Sequence, residues 1–366
     1  MIHRLANLKN RLFAEVTEVP EILSTNHFYS LDGFRAAAIL YVIIAHLKYR
    51  YHIHWLDYVF MGGKLGVLLF FVISGFLITS LLLKEKIRTG TISLKDFYIR
   101  RLLRIVPVAY LYLFILLVLN YFFHLSIPLK AFLGAFLFIM SPYFSKSWYV
   151  AHYWSLAVEE QFYIIFPFVL KWGVKVYMRF LLLFFIVSIL AHFNFFGLLG
   201  HNFFSDFIIQ FTRYADGLII GSLMAILMFK NMFPLVVLQK YKWPIHLVCV
   251  PVMIIMLNHH NAFLEHFSYT LCSLMIAIIL AGNILPGRDL IFLLLNNKLM
   301  NFIGKLSYSL YIYNQLFTGP LAKGTWHSGN LPWYINALML FGVAYLSYHY
   351  YESWFLKWKQ RFKKLN

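Results

Sequence analysis

The chain is 366 residues long, 61% hydrophobic and 20% aromatic, with only 13% charged residues and a mean hydropathy of +0.70. A soluble domain carries about a quarter charged residues, so a water-facing globule is excluded and a polytopic membrane protein is expected. The 32 Lys and Arg against 14 Asp and Glu give a formal charge of +18; in a membrane chain this excess holds loops in the cytoplasm, so it implies the lipid bilayer as partner and no nucleic acid.

The first residues, MIHRLANLKNRLFAEVTEVPEILSTN, contain no apolar core of signal-peptide length, so a cytoplasmic start is expected. Apolar stretches able to cross a bilayer follow near 32–49, 65–83, 105–123, 155–170, 180–199, 208–229, 244–258, 267–285, 304–322 and 334–351, about ten in all. The stretch 131–144, AFLGAFLFIMSPYF, is short and ends around Pro142, and it reads as a re-entrant or interfacial piece. With ten crossings and an inside start, the cytoplasmic segments hold 24 of the Lys and Arg and the remaining positions hold 8. Making 131–144 a crossing would reverse every later segment and put the basic tail KWKQRFKKLN outside.

The expected fold is therefore an all-α polytopic integral membrane protein: about ten transmembrane helices, a short re-entrant or interfacial segment, and both termini cytoplasmic. Residues 1–29 form a cytoplasmic N-terminal segment, 30–351 the transmembrane domain and 352–366 a basic cytoplasmic tail. No repeat or low-complexity tract is visible. Cys249 and Cys272 lie in apolar stretches and read as small buried hydrophobes.

Ionisable groups inside spanning helices are costly and mark sites by default, with snorkelling or a satisfied core contact as the competing reading. The helix SLDGFRAAAILYVIIAHLKYR carries Arg35 and His46, 11 residues apart. That separation is about 20° past three full turns, so both share one face, roughly 16 Å apart along the axis. The stretch HYWSLAVEEQFYIIFP places Ser155, Glu159 and Tyr163 at i, i+4 and i+8 on one face, with Glu160 turned toward Leu156 and Ile164. Ser155 also suits a helix cap, and Tyr153 and Trp154 an interfacial belt. The charge count puts this helix start on the outer side, where His46 arrives. A His46–Glu159 pair would hold the imidazole in one tautomer and leave its other nitrogen as a general base.

In KEKIRTGTISLKDFYIRRLLRIVP, Arg100, Arg101 and Arg104 sit at a cytoplasmic helix start, suited to anionic lipid headgroups or to a bound phosphate. Arg213 and Asp216 are i, i+3 neighbours able to neutralise each other. Ser307, Tyr308 and Tyr311 open a further helix on the cytoplasmic side. The pairs His52/His54 and His259/His260 lack a matching set of further ligands, so no metal site is expected.

Taken together, these motifs resemble those of the membrane-bound acyltransferase-3 family. LDGFRAAAILYVIIAH looks like its opening helix with the Arg-x10-His pattern, and GVLLFFVISGFLIT like its glycine-serine second helix. FYIRRLLRIVP and WSLAVEEQFYIIFP match the next two signatures, and IGKLSYSLYIYNQ the late Ser-Tyr helix. The likeness runs in order over residues 30–351. The sequence departs from the family at Leu68, where an acid is common, at Asn314, where a His is common, and at Glu352-Ser353-Trp354, which stands for Glu-x-Pro.

The resemblance implies a membrane O-acetyltransferase: transfer of an acyl group, commonly acetyl, from cytoplasmic acyl-CoA to a hydroxyl of a cell-surface or lipid-linked carbohydrate. It implies acetyl-CoA as donor substrate, no permanently bound cofactor, and a bacterial inner-membrane location. Arg35, His46 and Glu159 take the catalytic positions. Arg100, Arg101, Arg104, Ser307 and Tyr308 are expected to bind acyl-CoA, and Ser74, Trp154, Ser155, Tyr163 and Tyr311 to line the site. A solute transporter using the same polar residues, and a catalytically inactive relative, are the alternative readings. The acceptor, the acyl chain length and the oligomeric state are not encoded legibly.

Overall fold

A chain this apolar can satisfy its backbone in lipid only by hydrogen bonding within each segment, and among the described residues every regular element is helical. The computed structural model describes residues 10–24, 28–51, 63–141, 144, 147–192, 210–212, 214–258, 262–319 and 331–362. His52, His54, Arg213, His259, His260 and residues 363–366 lie outside the described residues.

The elements are α1 (Glu21–Ser24), α2 (Leu31–Tyr51), α3 (Lys64–Thr89), α4 (Leu94–Phe123), α5 (Leu129–Phe136), α6 (Trp148–Ala151), α7 (Tyr153–Lys171), α8 (Val174–His192), α9 (Asp216–Phe229), α10 (Leu235–Lys240), α11 (Lys242–Asn258), α12 (Ala262–Gly282), α13 (Leu290–Asn296), α14 (Lys298–Thr318), α15 (Trp333–Leu346), a π-helical turn at Ser347–Glu352, and α16 (Ser353–Gln360). Among the described residues, three stretches are long and apolar enough to cross a membrane: α3, α4 and Val174–Ala191 of α8. Shorter apolar helices are α9, α11 and Phe267–Gly282 within α12. The chain is a membrane protein. In α2, by contrast, Asp32, Arg35, Lys48 and Arg50 interrupt an otherwise apolar helix.

The stretch 131–144 forms no long helix. It contributes most of α5, whose eight residues span only about 12 Å. Helix α4 begins earlier than its apolar run indicates, because Ser93 caps it: the Ser93 hydroxyl accepts from the Asp96 N–H and donates to the Asp96 carboxylate at 2.8 Å. Arg100, Arg101 and Arg104 consequently lie in its second and third turns rather than at its start.

The chain divides into two compact units. The first comprises 1–34, 67–92 and 158–301, the second 35–66, 93–157 and 302–366. In the first unit, small residues let backbones touch, the packing rule of membrane helices. A Cβ at Gly75 of α3 would lie 2.0 Å from the Leu218 carbonyl oxygen of α9, and one at Gly221 would lie 2.1 Å from that of Val72. Asp216 is fully buried and takes hydroxyl donors from Ser188 and Thr270.

The second unit is built on tyrosines. The hydroxyl of Tyr112 donates to the Tyr149 carbonyl at 2.6 Å, that of Tyr153 to Ala109 at 2.7 Å, and that of Tyr308 to Ile105 at 2.6 Å. Helix α15, the π turn and α16 run on without a break, since Glu352 and Ser353 both keep helical dihedrals. A proline two residues after Glu352 would lack an N–H there; Trp354 retains it.

Candidate active site

The second unit carries two polar centres, both involving α2. At one end lies His46, half-buried. Its Nδ1 is 2.6 Å from Asn314 Oδ1 of α14. The carboxamide orientation is set independently, because Asn314 Nδ2 donates to the Tyr311 carbonyl. Oδ1 is therefore the acceptor and His46 Nδ1–H the donor, which in a neutral ring leaves Nε2 with its lone pair. Gly63, at φ +72°, opens space beside that atom: a Cβ there would stand 3.8 Å from Nε2. The Trp148 ring packs edge-on against the imidazole, with centroids 5.2 Å apart.

One residue further along α14, Gln315 performs a parallel task for a second histidine that the sequence reading passed over. Gln315 Oε1 accepts from His152 Nδ1 at 2.5 Å and from the His152 backbone N–H at 3.3 Å. His152 is 3% exposed, and its Nε2 is buried without a hydrogen-bond partner among the described residues. Tyr112, Tyr153 and Tyr311 surround it, with ring centroids 5.0 to 5.6 Å away. Ser155 and Tyr311, predicted from separate motifs, meet here at 2.5 Å, and both hydroxyls reach the His152 carbonyl. Trp154 stands half-buried beside them at the start of α7. Arg50, 1% exposed, donates to the Gly319 carbonyl at 2.8 Å. It thereby caps the carbonyl end of α14, where a cation is favoured.

At the other end of α2, Arg35 joins Arg100, Arg101 and Arg104 of α4 around Lys359 of α16, each within electrostatic reach of that lysine. The three α4 positions fall within about 100° of arc, so one helix face delivers all three guanidinium groups. Each of the five cations is half-buried. The carboxylate facing them is Glu352, 1% exposed, which interacts with Arg104 and Lys359. Its Oε2 accepts from Ser309 at 2.8 Å, while Oε1 is buried without a hydrogen-bond partner among the described residues. Guanidinium forks gathered in this way match phosphate oxygens. Of the two further residues expected here, Tyr308 bonds to Ile105, at the turn following the arginines, and Ser307 is buried.

The remaining candidates belong to the first unit. Glu159 accepts from Ser74 at 2.8 Å, which joins two residues predicted from different motifs, and Tyr163 is buried. A cavity of about 490 Å³ in this unit is lined by Arg11, Glu15, Glu18, Lys230 and their neighbours. It contains none of the predicted residues, and Lys230 is already engaged by the Arg11 and Ala14 carbonyls.

The second unit thus presents an imidazole oriented by a carboxamide and a cluster of half-buried cations. A family profile described as an acyltransferase domain matches residues 28–364. The chain belongs to the acyltransferase-3 family. It is similar to a protein of Staphylococcus aureus (strain COL) named "Putative O-acetyltransferase", 32% identical over 369 residues, covering 89% of this chain and 57% of the relative. An equally similar relative with that designation comes from strain MSSA476. It is also similar to the O-acetyltransferase OatA of Staphylococcus aureus (strain NCTC 8325 / PS 47), 39% identical over 167 residues, covering 41% of this chain and 26% of that protein. The chain thus spans little more than half the length of the curated relatives it matches. No solved structure matches it significantly.

Proposed function

We propose that this chain transfers an acyl group, acetyl by analogy with the relatives' names, from cytoplasmic acyl-CoA to a hydroxyl of a cell-surface or lipid-linked carbohydrate. The observation that carries the reading is α2 itself. It bears an imidazole whose tautomer Asn314 sets and, about 16 Å away, an arginine inside a cluster of half-buried cations. A thioester donor is a polyphosphate head with a long neutral arm, and that separation suits such an arm.

In this reading Arg35, Arg100, Arg101 and Arg104 hold the phosphates, with Tyr308 and Ser307 close by. His46 Nε2 removes the proton from the acceptor hydroxyl as its oxygen attacks the thioester carbonyl. The new C–O bond forms, the C–S bond breaks, and the departing CoA thiolate takes up the proton. Ser155, Trp154 and Tyr311 line the acceptor side, and Glu159, held by Ser74, with Tyr163, serves the same reaction by motif. The donor mouth faces the cytoplasm and the imidazole lies toward the outer half of a bacterial inner membrane. About ten crossings and two cytoplasmic termini complete the topology we infer. Incubating the purified protein with radiolabelled acetyl-CoA and envelope glycans tests this directly. Donor-dependent label on a glycan is expected, whereas passage of an unmodified solute through proteoliposomes without label would overturn it.

A further inference from the structure

The last helix carries a cation that neither the motifs nor the family likeness singles out. Lys359 lies seven residues, about two turns, after Glu352, and so shares a face with that buried carboxylate. Helix α16 is pinned where this face meets α4: Arg100 Nη1 donates to the Phe362 carbonyl at 2.8 Å. This guanidinium caps the carbonyl end of α16 and fixes the approach of Lys359 to the arginines. The groups facing Lys359 are Arg104, Arg101 and Arg100 from α4, Arg35 from α2, and Glu352 from the π turn. Lys357 and Arg361, on the same helix, are exposed.

We propose that α16 forms a wall of the phosphate site and that Lys359 is a ligand for one phosphate group of the bound organophosphate, taking up a proton as that group arrives. The proposal deepens the acyl-CoA reading above and rests on it. Four arginines stay charged at any physiological pH, so a fifth cation beside them meets a repulsion that a bound phosphate would relieve. Lysine is the member of the set that can relieve the crowding by losing its proton. Burial, followed by Arg104, Arg101, Arg35 and Arg100, pushes the Lys359 ammonium down to about 7. Before phosphate arrives the amine is then part neutral near pH 7. A phosphate dianion placed among the cations favours the charged form again, so binding and protonation are linked.

The test uses the full chain in phosphatidylcholine nanodiscs, titrated with CoA in a calorimeter. Paired buffers of different ionisation enthalpy, between pH 6 and 8, report the protons exchanged. For the wild type, affinity should weaken as pH rises through 7, with net proton uptake relative to Lys359→Arg. Lys359→Met should weaken CoA binding about tenfold. Lys359→Arg should keep affinity within about threefold but lose the uptake. Lys357→Met, an exposed neighbour, should behave as wild type. CoA that fails to bind the wild type would overturn the donor reading and this inference with it. CoA that binds wild type, Lys359→Met and Lys359→Arg alike, with equal proton exchange, would overturn the inference alone. Competitive loss of CoA binding when phosphatidylglycerol is added to the nanodisc would assign the cluster to lipid headgroups and overturn the inference.

Discussion

In the first unit Gly75 and Gly221 bring α3 and α9 together backbone to backbone. In the second, Tyr112, Tyr153 and Tyr308 join elements through hydroxyl–carbonyl bonds. The difference extends to charge. Buried Asp216 of the first unit is bonded by hydroxyls of its own unit, whereas the second gathers four half-buried arginines around Lys359, with Glu352 in reach of Arg104 and Lys359. A backbone contact leaves no room for a ligand and resists substitution. Long polar side chains that each hold a partner can position reacting groups, at the cost of keeping charge in a low-dielectric setting. On this comparison we propose that the first unit's glycine contacts serve stability and that the histidine and cation centres of the second serve the chemistry, with Glu159 of the first unit joining them by motif.

The sharpest attempt to break that assignment is His46→Ala. Acyl transfer should fall by roughly 10³-fold, the scale of a lost general base, while the protein still inserts and purifies. A well-expressed variant with substantial transfer would remove the imidazole from the reaction. Gly75→Leu comes next and acts in the opposite way. A side chain driven into the Leu218 carbonyl should destabilise by about 3 kcal/mol or more, seen as lost monodisperse yield and a lower melting temperature in detergent. If Gly75→Leu instead purifies normally and loses only activity, the division of labour between the units is wrong.

Asn314→Leu should lower kcat by about 10²-fold with the donor KM nearly unchanged, because it removes the group that sets the His46 tautomer. Asn314→His, the residue common in the family, should restore most of the rate. The smallest effect is expected from Arg104→Ala. It should raise the apparent KM for acetyl-CoA about tenfold, through one lost charge-assisted contact. An unchanged donor dependence would favour lipid anchoring for that arginine.

Helical spacing alone put Arg35 and His46 on one face and grouped Arg100, Arg101 and Arg104, since both inferences need only one helix at a time. What no single helix contains was hidden. Asn314 read as a departure from the family pattern, yet a carboxamide offers the same kind of acceptor to Nδ1. His152 lies two residues before the Trp-Ser-Leu motif, but its partner Gln315 lies 163 residues further on. Scanning for apolar runs began the third long helix near 105, because its charged first turns look like a loop. The Ser93–Asp96 cap was the available signal for a start at Leu94. Lys359 looked like one more residue of a basic tail. Its place beside the arginines depends on the unbroken run from α15 into α16, and the proline that would have interrupted the run is Trp354.

The π turn at Ser347–Glu352 sets the phase of everything beyond it. A π bulge is in effect one inserted residue, so the chain after it is rotated by about 100° from the path a uniform α-helix would take. Tyr350, 74% exposed within that turn, can be removed without emptying the interior. Its deletion would take out the surplus residue together with the bulge, so Glu352 and Lys359 would keep their bearing. An intact chain rewound to ordinary pitch would instead carry both about 100° around the axis, and the charged edge of the final helix would point somewhere else.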